Sequence, residues 1–128
     1  MRISLDRPAS SNSINGHGPG VVTIAGVDYR NSLIVAADTL LPDWPVRSVG
    51  DLVAAHLDAV LQLEPEVLLL GTGARLSFPP HALHASVNSR GVGFEVMDTA
   101  AACRTFNILL AEDRRVAAAL IIEPAPVA

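Results

Sequence analysis

Four consecutive apolar residues, Val67 to Leu70, lie between Pro65 and the triplet Gly71-Thr72-Gly73. A short apolar run bounded by turn residues suits a strand buried on both faces. Before it, Leu52, Val53, His56, Leu57, Val60 and Leu61 recur at spacings of three and four, which predicts an amphipathic helix ending ahead of Pro65. Ser48 followed by Asp51 reads as its capping-box start. After the run, Pro79-Pro80 opens a second helix and Gly91 stops it. Val92 to Met97 predicts a strand, Thr99 caps a third helix reaching about Glu112, and Val116 to Ile122 predicts the last strand. The alternation strand, helix, strand, helix, strand is that of a parallel sheet covered by helices.

The first half is patterned differently. Val21 to Ile24, the turn Ala25-Gly26, and Val27 to Ala36 with a second turn at Arg30-Asn31-Ser32 predict short antiparallel strands. Leu41 to Val46 holds two prolines around Trp44, and reads as a connector whose indole plugs the edge of the core. Pro8 to Gly20 is small, polar and rich in Gly, Ser and Asn, which predicts a mobile arm or long loop. The expected organisation is a flexible arm over 1–20 and a single α/β domain over 21–128. Its fold class is a three-layer domain with a central mixed, mostly parallel sheet and antiparallel strands at the N-terminal end.

Composition narrows the function. A chain of 128 residues has room for one core without a disulfide or metal staple. The net charge is -4, there is no lysine, and the arginines are scattered apart from Arg114-Arg115, so a nucleic-acid backbone site is not expected. One cysteine, Cys103, excludes an internal disulfide and a CxxC pair. The opening MRISLDRPASS lacks the apolar stretch of a secretory signal, and no apolar run reaches the roughly 18 residues of a membrane span. A cytoplasmic location is the expectation.

The triplet after the apolar run raises the main chemical question. Gly71-Thr72-Gly73-Ala74-Arg75-Leu76 supplies two glycines of a dinucleotide fingerprint, but Leu76 stands where the third belongs. Leu76 to Pro80 also separates the turn from its helix, whereas a pyrophosphate site needs the glycines to open the helix directly. Two readings therefore stand. One is a tight strand exit; the other is a concavity of backbone N–H groups, with Arg75 adding charge, for a small anion. Asp98 and Thr99 lie at the carboxyl end of the next strand, the edge where open α/β sheets bind ligands, and would complete such a crevice.

On the third helix Ala102, Cys103, Phe106, Leu109 and Leu110 share one face, so Cys103 reads as a small core residue. Arg104 and Asn107 lie three apart on another face and are candidates for an interaction role. His81 and His84 are also three apart, but no carboxylate motif accompanies them, so no metal is expected. No cofactor is expected either.

The stretch LLLGTG, the PP helix start and above all GFEVMDTAAACRTFNILLAEDRRVAAAL resemble a small domain family of unknown function. That family includes the mitochondrial NADH:ubiquinone oxidoreductase complex assembly factor 3 and the adipogenesis-associated domain protein. Asn31 to Val35 and Trp44 extend the similarity towards the N-terminus. Phe106 replaces a tyrosine of the family pattern and Asp113 a glycine. The resemblance implies a compact three-layer α/β domain with a central mixed sheet and no catalytic residues to transfer. It also implies protein binding, since the eukaryotic relatives act in assembly of respiratory complex I. Without a mitochondrial presequence, a bacterial-type cytoplasmic or membrane-adjacent helper is the expectation.

The expected function is thus a noncatalytic protein-interaction module, of which an assembly factor for a respiratory or membrane complex is one form. The alternative is a protein or enzyme binding a small anionic ligand at Gly71 to Arg75 and Asp98-Thr99. A protein partner is expected. Self-association is compatible with the apolar-rich, acidic composition, but no heptad repeat specifies how.

Overall fold

The computed structural model describes residues 11–124. The elements in chain order are β1 (Ile14–Gly18), β2 (Val21–Ile24), β3 (Val27–Tyr29), β4 (Leu33–Ala36), β5 (Thr39–Leu41), α1 (Ala54–Leu61), β6 (Val67–Gly71), α2 (His81–Asn88), β7 (Gly93–Met97), α3 (Thr99–Ala111) and β8 (Val116–Leu120). Strands β1, β2 and β3 form one antiparallel sheet; the other five are ordered β5-β4-β8-β6-β7. In the larger sheet β6 runs parallel to both β7 and β8, while β4 runs antiparallel to β8 and β5 to β4. The parallel part is thus the three strands delivered by the helical half of the chain, and the N-terminal strands add the antiparallel side.

Period-two alternation along the central strands divides the core into two layers. Leu68, Leu70, Ala117 and Ala119 face α1, α2 and the buried Trp44. Leu69, Ala118 and Leu120 face α3 and the small sheet, where they meet Cys103, Phe106, Val22 and Ile24. Every residue of β8 is buried, and its three consecutive alanines keep both of its faces shallow, so helices approach closely on either side. The Trp44 indole N–H donates to His56 O at 3.1 Å, tying the connector to α1. This matches the indole plug expected from the two flanking prolines.

The structure corrects the sequence reading in four places. Residues 1–10 of the expected arm lie outside the described residues, but Ile14–Gly18 is not a loop: it is β1, paired antiparallel with β2. Ser48 makes no side-chain cap; a 3-10 turn fills Val49–Asp51, and α1 starts later, with Val53 N–H donating to His56 Nδ1 at 3.0 Å. Thr39–Leu41 forms β5 against β4, so Leu41, the first residue of the expected connector, ends a strand. The cap of α3 is Asp98, whose carboxylate accepts from Ala101 N–H at 2.8 Å, and Thr99 occupies the first helical position.

The β2–β3 hairpin turns through Ala25 at φ 51° and Gly26 at φ 81°. Two central residues with positive φ match the twist of the flanking strands, but alanine is a poor occupant of the first. Ala25→Asn is expected to raise stability by about 0.5–1 kcal/mol, because asparagine tolerates the left-handed region better. Urea unfolding checks it. Asp113 also sits at φ 60°, so the position where the family pattern has glycine adopts a conformation that glycine enters freely.

Candidate functional site

At Gly71, the last residue of β6, the first residue of α3 packs directly against the strand. A side chain there would meet Thr99 Oγ1 at 2.9 Å, Thr99 Cα at 3.0 Å and Leu120 Cδ2 at 3.1 Å. The turn that follows is wired by two threonines. Thr72 is buried; its hydroxyl donates to Arg75 O at 2.6 Å and accepts from Ser77 N–H at 3.2 Å, which curls 72–77 back on itself. Thr99 Oγ1 accepts from Gly73 N–H at 2.8 Å and donates to Ile121 O at 2.7 Å, while Thr99 N–H donates to Gly73 O at 2.9 Å. One side chain thereby joins the exits of β6 and β8 to the start of α3.

Over this junction lies a cavity of about 530 Å³, lined mainly by apolar atoms. Gly73, Ala74, Asp98 and Thr99 form one wall, Ile121 to Pro124 a second, and the β1–β2 turn with His17 a third. It occupies the carboxyl ends of β6 and β8, the edge where the sequence places a crevice. The electrostatics differ from an open anion cradle. Glu123 fills the concavity: its Oε1 accepts from Ala74 N–H at 2.9 Å, and Gly73 N–H is taken by Thr99. An added anion would have to displace a carboxylate that the chain itself supplies.

Of the residues singled out from sequence, the structure gathers Gly73, Asp98 and Thr99 at the cavity and places Gly71 and Thr72 behind it. Arg75 is exposed and does not line it. Arg104 is exposed on α3, but Asn107 is engaged inside the chain. Its Oδ1 accepts from Ile14 N–H and its Nδ2 donates to Ile14 O, both at 2.8 Å, so the amide acts as one more strand residue against β1. Glu123 and His17 are cavity residues that no motif announced. Glu123 stands in a proline-flanked tail and His17 in a glycine-rich stretch, and only the chain's return to the β6 exit gives them a role. Among the described residues no three His, Cys, Asp or Glu side chains cluster as metal ligands, and His81 and His84 share no carboxylate partner there.

Cys103 is buried against the large sheet, and burial pushes its thiol up to about 12, with the nearby Arg104 opposing the shift. A raised folded value favours the neutral thiol, so this contribution is fully present below the unfolded thiol's range near 8.5 and is lost as pH rises towards 12. Between those limits the protein is expected to lose about 1.4 kcal/mol per pH unit relative to a Cys103→Ala variant. Guanidinium unfolding of both proteins at stepped pH measures the difference, and a constant gap overturns it.

These features define the class: a small three-layer α/β domain with an apolar crevice at the strand ends and a glycine turn whose Gly73 and Ala74 N–H groups are bonded within the chain. The chain belongs to the family described as protein of unknown function (DUF498/DUF598), which matches residues 14–121. It is 39% identical over 114 residues to an uncharacterized protein of Rhodobacter capsulatus, covering 89% of this chain and 87% of that one. It is 48% identical over 110 residues to the NADH dehydrogenase (ubiquinone) 1 alpha subcomplex assembly factor 3 of Danio rerio, covering 78% of this chain and 61% of that relative. A crystal structure from Bordetella parapertussis superposes with a TM-score of 0.84 at 37% identity, covering 91% of this chain and all of that one. The family resemblance read from the glycine turn and the third helix therefore holds. No helix among the described residues is long and apolar enough to cross a membrane.

Proposed function

We propose that this chain is a noncatalytic protein-binding module that assists assembly of a respiratory membrane complex. The observation that carries the reading is the 48% identity to a vertebrate protein named as an assembly factor for NADH dehydrogenase. The wiring of the glycine turn supports it, because the Gly73 and Ala74 N–H groups already have partners within the chain. Large apolar side chains on the surface, Leu76, Phe78 and Ile108, offer contact area to a partner. Deleting the gene from its source organism is expected to lower the amount of assembled NADH dehydrogenase, read by native electrophoresis with an NADH-dependent stain. An unchanged amount overturns the proposal.

A second reading rests on the cavity, whose volume suits a small organic molecule held at Gly73, Asp98 and Thr99. For an anionic ligand, Glu123 has to leave Ala74 N–H first. A native mass spectrum of gently purified protein carrying a stoichiometric small ligand would favour this reading; a bound subunit alone would favour the first.

A further inference from the structure

Strand β7 is the outermost strand of the large sheet, and no described strand pairs with its outer edge. The direction of its backbone groups follows from the ladder to β6. Gly93 N–H donates to Glu66 O at one end, and Met97 O accepts from Thr72 N–H at the other. In regular parallel pairing of this register, Gly93, Glu95 and Met97 therefore bond to β6. Phe94 and Val96 are left with their N–H and C=O groups aimed outward, about 7 Å apart along the strand.

Edges of this kind are ordinarily guarded by proline, lysine, a bulge or a covering element. The stretch Gly93–Met97 contains neither proline nor lysine, and its pairing with β6 runs without a bulge. The other edges are shorter or engaged: β3 and β5 have three residues each, and Asn107 holds the Ile14 end of β1. The β7 edge is also held from the helical side, where Phe94 is buried with its ring 5.1 Å from that of His84 on α2.

Charge decides between occupants. Glu95 is exposed at the centre of the strand. In antiparallel addition through Phe94 and Val96, Glu95 falls in a non-hydrogen-bonded pair, with its opposite residue about 4.5 Å away between Cα atoms. A second copy using both residues in a two-fold arrangement sets Glu95 against Glu95, and like charges directly opposite destabilise a strand pair. A Lys or Arg at that position turns the same geometry into attraction.

We propose that the outer edge of β7 receives an extended segment of a protein partner as an additional antiparallel strand, with a cationic side chain of that segment opposite Glu95. Backbone hydrogen bonds to Phe94 and Val96 supply the attachment, and Glu95 supplies the choice. The inference rests on the protein-binding reading above and names its surface and partner chemistry.

The probe is a ten-residue peptide of alternating Thr and Val with a central Arg, compared with its central-Glu counterpart, against the full chain in amide NMR and hydrogen exchange. The Arg peptide is expected to protect the Phe94 and Val96 amides and to bind about fivefold more tightly than the Glu peptide. Val96→Pro removes an outward N–H without touching the β6 ladder, so it is expected to abolish binding while the remaining amide spectrum persists. Glu95→Arg, at an exposed position, is expected to reverse the preference between peptides and tests the idea independently of how Val96→Pro folds. Equal affinity for both peptides, perturbations centred on Gly73 and Thr99, or dimerisation through β7 without peptide would each overturn the inference. An assembly defect on gene deletion with no protection at β7 removes the edge and keeps the assembly role; peptide binding without an assembly defect does the reverse.

Discussion

Replacing Gly73 by valine is expected to lower the unfolding free energy by about 2–4 kcal/mol. Gly73 holds φ at 101°, outside the conformations a β-branched residue adopts. Its Cβ would lie 2.7 Å from the Glu123 carboxyl carbon. The Glu123 side chain can swing away from that contact, but doing so gives up its hydrogen bond to Ala74 N–H. Backbone strain of about 1–3 kcal/mol and one lost charged hydrogen bond then add. The two parts separate in a double-mutant cycle with Glu123→Ala: the contact disappears in that background while the strain stays, so the two substitutions should cost less together than the sum of each alone. Thermal and urea unfolding read the result. A Gly73→Val protein as stable as the parent would mean that the turn relaxes freely and that the glycine serves something other than the backbone.

Thr99→Val is expected to cost about 2–4 kcal/mol, although valine nearly matches threonine in shape. The hydroxyl serves two main-chain groups at once, Gly73 N–H and Ile121 O, in a half-buried position. Removing it leaves both without that partner, and an unmet polar group costs more than a hydrogen bond gains. Thr99→Ser retains both bonds and should lose only about 1 kcal/mol for the missing methyl. Amide exchange at Gly73 gives a local readout: it should quicken in Thr99→Val and stay slow in Thr99→Ser. If both variants exchange alike, the Gly73 amide is protected by burial and not by Thr99.

Both effects concern residues that the sequence singled out, yet for other reasons. Gly73 and Thr99 stood out as parts of a candidate anion crevice, and the structure brings them together through a hydrogen bond between residues 26 apart. What the sequence could not reveal is the group that occupies the N–H concavity of the glycine turn. Glu123 lies 49 residues from Ala74, in a stretch with no periodic pattern, and its carboxylate arrives only because β8 runs parallel beside β6 and ends at the same edge. Asn107 is similar. On a helical wheel it is a polar residue beside Arg104, and only the arrival of β1, 93 residues earlier in the chain, makes its amide a backbone mimic.

The sequence by itself determined the alternation of strands and helices from Leu52 to Leu120 and the division of the apolar run into two faces. Those features depend on local geometry: a period of two sends Leu69 one way and Leu68 and Leu70 the other, and spacings of three and four gather Leu57, Val60 and Leu61 on one side of α1. Prolines and glycines marked the boundaries because they act on the backbone where they stand. Only the tertiary structure decided that Ile14–Gly18 is a strand, that Glu123 occupies the glycine turn, and that β7 is left at the edge with the backbone N–H and C=O groups of Phe94 and Val96 directed away from β6. Each depends on which distant segment comes alongside, and pairing between remote strands leaves no period in either partner. A weak strand such as INGHG forms because β2 and Asn107 satisfy its backbone, not because its own residues favour extension.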